Sequence, residues 1–321
     1  MVEAMHILII ESHYQIYHDA LKELLPDAVI VSTSSIEHAL TEAGQCSFWI
    51  GQPDLIVGLL SSGMKPEFVQ SSWAGFEALL APDLPKDYVF CRAVDVFGQT
   101  MAEYVLSYIL AHERQHQLRY QSQNACIWDD TQPGTLSGKT LLIAGAGNIG
   151  ASVADFFRPF GVRLLGVART IRDYDSFDYV GCLNEMSDLV GKSDYVVNLL
   201  PDTPETRNLF NESLFQCFRR TAVFVNAGRG SAVVEPDLIK AINNGWLAKA
   251  VLDVFCQEPL QPNSKLWSTP GILLTAHVAA PSAPLAVAQL FVDNVNRLKG
   301  RIPLRGQIEL GKYQAQSESA T

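Results

Sequence analysis

Three short stretches of this chain pair a reactive side chain with a place just after an apolar run. They are Asn226-Ala227-Gly228-Arg229-Gly230, the segment Asp253–Leu260 that carries Glu258, and Thr275-Ala276-His277-Val278-Ala279-Ala280. An arginine, a carboxylate and an imidazole at the ends of neighbouring strands can converge on one substrate, because the carboxyl ends of strands are where a doubly wound sheet binds ligands. Taken singly, each has a plainer reading: a surface arginine, a loop carboxylate, a hydrogen-bonded core histidine. A fourth stretch says what they would work with. Gly145-Ala146-Gly147-Asn148-Ile149-Gly150 fits G-x-G-x-x-G, follows the apolar run Leu141 to Ala144 and precedes the helix-like Ala151–Phe157. Strand, glycine turn and helix in that order form the context of a dinucleotide fingerprint. One glycine permits the tight turn, one lets the backbone approach a pyrophosphate, and one lets helix and strand pack closely. The helix N-terminus then offers free N–H groups and partial positive charge to phosphates.

The end of the next strand bears on which dinucleotide is bound. An NAD site usually places an acidic residue there, on the ribose 2′-hydroxyl. Here Arg163–Val167 is followed by Ala168, Arg169, Thr170, Ile171 and Arg172. Guanidinium groups suit a 2′-phosphate, and Thr170 adds a hydroxyl. NADP(H) is therefore preferred, while Asp173 and Asp175 close by leave NAD(H) possible.

The elements that position these stretches alternate between short apolar strands and helices. Residues 1–98 read as a first α/β unit, with strands at Ile7–Ile10, Ala28–Val31, Phe48–Ile50 and Leu55–Val57 and a helix over Ile16–Leu25. Gln70–Phe76 follows a strand and holds small residues, so its backbone N–H groups could face a ligand. Thr100-Met101-Ala102-Glu103 has the form of a capping box that opens one helix to about Arg119. That helix carries two apolar stripes, enough to bury part of it against another subunit or between two domains. Gln121–Ser137 is polar and turn-rich. After the fingerprint, strands are expected at Arg163–Val167, Asp194–Leu200, Thr221–Asn226, Ala250–Val254 and Ile272–Thr275. Thr203-Pro204 and Pro236 mark helix starts, and Gly245 a helix end. The fold class is α/β, with parallel doubly wound sheets.

Composition narrows the function classes. The 321 residues are 48% hydrophobic and 18% charged, ordinary for a globular protein of about two domains. A net charge of −10 argues against nucleic acid or an anionic membrane as partner. The N-terminal apolar run Ile7–Ile10 is too short for a signal peptide, and no run of about 20 apolar residues appears. The six cysteines are scattered without metal-ligand spacing, so no metal is expected and free thiols in the cytoplasm are.

The stretches TLLIAGAGNIG, LLPDTPETRNLF, FVNAGRGSAVVE, AVLDVFCQEPL and LTAHVAA, in this order from about residue 90 to 285, resemble the motif series of the D-isomer-specific 2-hydroxyacid dehydrogenases. Ser72-Trp73-Ala74-Gly75, the basic strand end, HVAA and Arg305-Gly306-Gln307 resemble the glyoxylate/hydroxypyruvate reductase A branch. The resemblance implies two Rossmann-like domains: a substrate domain of residues 1–98 plus 286–321, and a dinucleotide domain of 99–285. The active site would lie in the cleft between them. His277 would be the general acid that protonates the substrate carbonyl as hydride arrives from nicotinamide C4. Glu258 would orient that imidazole and favour its charged form, where the family's formate dehydrogenases carry Gln. Arg229 would grip the substrate carboxylate. Asp253 would orient the nicotinamide carboxamide. Thr206, Leu200, Pro201, Ala227, Gly228 and Ala279 would line the cofactor beside the glycine turn, and Trp49, Trp73, Ala74 and Gly75 the substrate. The hinge Arg92–Gly98 lacks the family's glycine-rich pattern.

The expected activity is NADPH-dependent reduction of a small 2-oxoacid to the D-2-hydroxy acid by a homodimer joined through the helix region 100–119. Alternatives are a dinucleotide-sensing co-repressor with a protein partner, or a reductase of a bulkier 2-oxoacid such as phenylpyruvate. A phosphorylated substrate is disfavoured, because residues 45–100 hold no basic cluster beyond Lys65, Lys86 and Arg92.

Overall fold

The computed structural model describes residues 4–170 and 175–311. The chain divides into unit 1, Met1–Val96 with Ser282–Thr321, and unit 2, Phe97–Pro281. The division thus falls at 96/97 and 281/282, against the expected 98/99 and 285/286. Unit 1 begins with β1 (His6–Ile10), α1 (Tyr14–Leu24), β2 (Val29–Thr33), α2 (Ile36–Glu42), β3 (Phe48–Gly51), α3 (Pro53–Ser61), β4 (Phe68–Ser71) and β5 (Val89–Cys91). Unit 2 holds α4 (Gly98–Glu113), α5 (His116–Asn124), β6 (Thr140–Ala144), α6 (Asn148–Phe157), β7 (Arg163–Val167), β8 (Tyr179–Gly181), α7 (Met186–Gly191) and β9 (Tyr195–Asn198). It continues with α8 (Glu212–Phe215), β10 (Val223–Asn226), α9 (Glu235–Asn243), β11 (Lys249–Leu252) and β12 (Ile272–Leu274). The chain returns to unit 1 with α10 (Pro284–Gly300) and β13 (Gln307–Ile308).

Unit 2 is a seven-stranded parallel sheet in the order β12-β11-β10-β9-β6-β7-β8. Strand order reverses between β6 and β9, so the crevice at their carboxyl ends is the topological switch point. Strands covered on both faces read as continuous apolar runs, and β6 is one: Leu142 and Ala144 enter one core, Leu141 and Ile143 the other. Helix α6 covers the second face with Gly150, Val153, Ala154 and Phe157, the i, i+3, i+4, i+7 spacing of a single helical stripe. Unit 1 has the order β13-β5-β4-β3-β1-β2, parallel except for β13, which pairs antiparallel with β5. Its switch point lies between β1 and β3.

Four local expectations fail for physical reasons. Leu55–Val57 is not a strand but part of α3, where Pro53 sits at the helix start and Ile56, Leu59 and Leu60 form a buried helical stripe. The single helix from Thr100 to Arg119 is two helices, broken where Gln115 takes φ 56°, and it starts at Gly98, before the expected cap. Thr203-Pro204 opens no helix, because the Thr206 hydroxyl donates to Pro201 O at 2.6 Å and closes the segment as a turn. The second stripe of α4 is not an open face: Tyr104, Leu106, Tyr108 and Leu110 are partly buried against the core of unit 2 itself.

Candidate active site

The glycine turn has the geometry that its sequence implies. Gly145 takes φ 109°, and a Cβ there would come within 2.8 Å of the Leu199 carbonyl. At Gly150 a Cβ would meet the Gly145 carbonyl oxygen at 2.1 Å, so this glycine lets α6 close on the turn. Gly147 caps α6, and a Cβ there would meet nothing within 4 Å. The turn is thus bare on the side that a pyrophosphate would approach, with the helix N-terminus behind it, which fits a dinucleotide. The turn is tied to the neighbouring strand end, since Gly145 and Ala146 both donate to Val167 O (3.0 and 2.8 Å). Beyond Ala168, Arg169 and Thr170 are exposed. Arg172 and Asp173 lie outside the described residues. Glu205 has its carboxyl below the usual range, through the Thr203 hydroxyl first and Arg169 last.

At the far side of the sheet, His277 and Glu258 form a pair. His277 Nδ1 lies 2.8 Å from Glu258 Oε2, while Glu258 Oε1 accepts the Phe255 N–H at 3.0 Å. The imidazole is 55% exposed, and its Nε2 has no partner among the described residues. His277 sits at φ 56°, a left-handed conformation that costs an ordinary residue about 1–2 kcal/mol. Asp253 holds it there. Its backbone carbonyl accepts the His277 N–H (2.8 Å), and its carboxylate accepts Val278 N–H and Ala279 N–H (2.9 Å each) and the Thr275 hydroxyl (2.5 Å). The Tyr104 hydroxyl extends the chain to Thr275 Oγ1 at 2.8 Å. Asp253 is only 1% exposed, so it positions the histidine loop from within.

Arg229 is set by a pair of asparagines that sequence reasoning missed. Asn198 and Asn226, both 0% exposed, follow the apolar residues of β9 and β10 and are bonded side chain to side chain at 2.8 Å. Asn198 accepts the Leu200 N–H, and Asn226 donates to Arg229 O, so the pair shapes both strand-end turns. An amide ending each of two apolar strands was the available signal. Gly228 and Gly230 flank the arginine where side chains would collide, with Leu200 O at 2.9 Å and Phe255 C at 1.9 Å. The arginine turn is thereby packed onto the segment that leads to Glu258. The Arg229 guanidinium donates to Gly228 O at 2.9 Å. Arg207 hydrogen-bonds Asp202 and, with Ser231 and the charge of Arg229, holds that carboxyl below the ordinary range. Cys256, between Asp253 and Glu258, is no thiolate: burial and then Glu235 push it up to about 11. Thr206 is enclosed at 5% exposure, and its hydroxyl closes the turn on Pro201 O. Ala279 is buried, and Leu200, Pro201 and Ala227 stand on the turns just described.

In unit 1 the turn after β4 combines tied and unengaged backbone donors. Ser72 donates to Gly51 O (2.8 Å) and Trp73 to Ser71 Oγ (3.0 Å), while the N–H groups of Ala74 and Gly75 engage no group among the described residues. Trp73 is 38% exposed beside them. Unengaged, half-buried backbone donors in a turn suit an anion. Trp49 does not belong to such a set. It is fully buried in the core of unit 1, with its indole N–H on Cys46 O at 2.7 Å, because its place on β3 points inward. No cluster that could hold a metal occurs among the described residues, and no helix among them is long and apolar enough to cross a membrane.

Known proteins are similar in sequence and fold. Residues 106–279 match the family model described as D-isomer specific 2-hydroxyacid dehydrogenase, NAD binding domain. A glyoxylate/hydroxypyruvate reductase A of Serratia proteamaculans is 33% identical over 241 residues, 72% of this chain and 76% of that protein. A crystal structure of a D-isomer specific 2-hydroxyacid dehydrogenase family protein from Aeromonas salmonicida superposes with a TM-score of 0.91 at 35% identity, covering 96% of this chain and all of that one. The NADPH-dependent glyoxylate/hydroxypyruvate reductase of Sinorhizobium meliloti, solved with NADP and sulfate, superposes at 0.81 with 28% identity over 95% of this chain and 98% of its own. Glycine turn, arginine turn and Glu258–His277 pair are thus found in a chain that belongs to the D-isomer-specific 2-hydroxyacid dehydrogenase family, on its glyoxylate/hydroxypyruvate reductase A branch.

Proposed function

We propose that this chain is an NADPH-dependent reductase of small 2-oxoacids of the glyoxylate and hydroxypyruvate type, acting in the cytoplasm and yielding D-2-hydroxy acids. By family it is an oxidoreductase. The observation that carries the proposal is the His277–Glu258 pair, with Nδ1 fixed and Nε2 open, on a loop that Asp253 locks. Bound NADPH supplies the hydride. Every other task falls to the chain. With Glu258 accepting the Nδ1 proton, His277 in its charged form carries its second proton on Nε2 and delivers it to the substrate oxygen. Arg229 holds the substrate carboxylate with its planar fork and polarises the adjacent carbonyl. The Ala74 and Gly75 N–H groups are proposed as further carboxylate donors, with Trp73 as a substrate contact. Arg169, Thr170 and Arg172 are assigned to the cofactor's 2′-phosphate.

The experiment is a panel of 2-oxoacids, including phenylpyruvate, run with NADPH and with NADH. The highest kcat/KM is expected for glyoxylate or hydroxypyruvate with NADPH. Tight NADPH binding without turnover on any 2-oxoacid would reject the reductase. In the same assay Arg169→Ala should raise the NADPH KM by about tenfold and the NADH KM by about twofold at most, since only the former loses a charge-assisted bond. Equal changes for both cofactors would remove Arg169 from the 2′-phosphate site.

We further propose a homodimer. The apolar surface that supports it lies beyond the expected α4 stripe, on α5 and the segment after it: Trp128 is 96% exposed, Tyr120 67% and Ile127 62%. Large aromatic groups so exposed mark an association surface. Light scattering should give twice the 35.3 kDa chain mass, reduced toward one chain by Trp128→Ser. A wild type of single-chain mass contradicts it.

A further inference from the structure

The carboxyl end of β1 buries a charge that the proposed reaction does not use. Glu11 is 6% exposed, and no lysine or arginine pairs with it among the described residues. A carboxylate so enclosed pays heavily in lost hydration, and burial raises its pKa above the ordinary range despite bonds from Ser72 and the Ser12 N–H and the nearby charge of His13. Its partners show where it acts. The Ser72 hydroxyl donates to Oε2 at 2.5 Å, and the Ser12 N–H donates to Oε1 at 3.0 Å. The bond runs from the end of β1 to the end of β4, across the end of β3, which lies between them in the sheet. That crossing point is Gly51, where a Cβ would meet the Ile10 carbonyl oxygen at 2.0 Å. Ser12 is bound in turn to Gln52, through its N–H (3.1 Å) and its hydroxyl (2.8 Å), beside the switch point of unit 1.

Ser72 is held at every polar atom. Its N–H goes to Gly51 O, its carbonyl accepts the Ser282 hydroxyl at 2.8 Å, and its own hydroxyl goes to Glu11. One residue on, the Trp73 carbonyl accepts Ala93 N–H at 3.0 Å. The tied backbone stops there, and the next two N–H groups, of Ala74 and Gly75, are the unengaged ones. The Tyr17 hydroxyl, buried without a hydrogen-bond partner, closes the cluster by facing Glu11 and the hydroxyls of Ser72 and Ser282.

We propose that Glu11 is a positioning residue for 2-oxoacid binding: by holding the Ser72 hydroxyl it fixes the turn whose Ala74 and Gly75 N–H groups take the substrate carboxylate. The proposal rests on the reading of that turn given under Proposed function. It assigns Glu11 to the affinity for the oxoacid and leaves hydride transfer and NADPH binding to unit 2.

Steady-state kinetics on the full-length enzyme with NADPH and glyoxylate test it. Glu11→Ala should raise the glyoxylate KM about tenfold while kcat and the NADPH KM stay within about twofold. Glu11→Gln should restore the glyoxylate KM to within about twofold of wild type, because its amide oxygen accepts the Ser12 N–H and its nitrogen donates to Ser72 Oγ. Ser72→Ala should match Glu11→Ala, and the double variant should be no worse than either, as expected for two ends of one bond. If Glu11→Ala fails to accumulate, Ser72→Ala must by itself separate the two KM values; without that separation the proposal falls. An unchanged glyoxylate KM in Glu11→Ala, or an equal loss for NADPH, overturns the role of Glu11 and leaves the reductase standing. A wild type inactive on every 2-oxoacid overturns both.

Discussion

His277→Ala is expected to lower kcat for glyoxylate reduction by about three orders of magnitude, the contribution of a well-placed general acid. That corresponds to about 4 kcal/mol of transition-state stabilisation. NADPH affinity, read by fluorescence titration, should change by about twofold at most, because the proposed phosphate site is elsewhere, on the turn Gly145–Gly150. One complication is built into the backbone. His277 takes φ 56°, where alanine is strained, so His277→Ala disturbs the loop as well as the chemistry. His277→Asn separates the two effects, since asparagine tolerates the left-handed region yet cannot deliver a proton. Equal losses in both variants locate the defect in proton transfer. If His277→Asn retained kcat within tenfold of wild type, His277 could not be the acid.

The second large effect is expected at Arg229. Arg229→Lys keeps the charge but loses the planar fork, and kcat/KM for glyoxylate should fall by about 100-fold; Arg229→Ala should fall further. On the proposed role, the loss should divide between KM, through the substrate carboxylate, and kcat, through the adjacent carbonyl. The backbone should not move, because Asn226 holds Arg229 O and the two flanking glycines fix the turn from below. A thermal midpoint near that of wild type would confirm that only the side chain was changed. Retention of kcat/KM within about threefold in Arg229→Lys would mean that a point charge suffices and that bidentate recognition plays no part.

The dinucleotide turn was legible from its residues because its glycines answer to sterics confined to a few neighbouring atoms. Arg229, Glu258 and His277 were legible as residues after strands, since apolar runs covered on both faces stand out in a polar chain. Their supports were harder to see. Asp253 reads as one more strand-end carboxylate, and only the hydrogen bonds from Thr275, Val278 and Ala279 show that it faces inward. Trp49 shows the reverse difficulty: residue type invites a ligand contact, whereas strand register decides which face it takes. Leu55–Val57 failed because a short apolar run has no period of its own, and the proline two residues before it was the better guide. The strands β5, β8 and β13, of two or three residues each, are too short to show a period, and β13 takes its pairing from β5, far away in sequence.

The discontinuity of unit 1 has a consequence for how the chain is made. Unit 2 is one continuous stretch that has left the ribosome's catalytic centre in full once Pro281 has been added. Unit 1 is not. The Gln70 side chain, 0% exposed, awaits Asn294, which donates to it at 2.9 Å, and the Phe68 ring awaits Phe291 at 5.9 Å. Asn294 in turn engages both the N–H and the carbonyl of Arg305. Since domains fold as units during vectorial synthesis, the later-encoded half matures first, and the earlier one waits with its core open until α10 emerges. A nascent chain stalled before α10 would therefore pair a finished nucleotide-binding fold with an unfinished sheet, and that is the species a chaperone would meet.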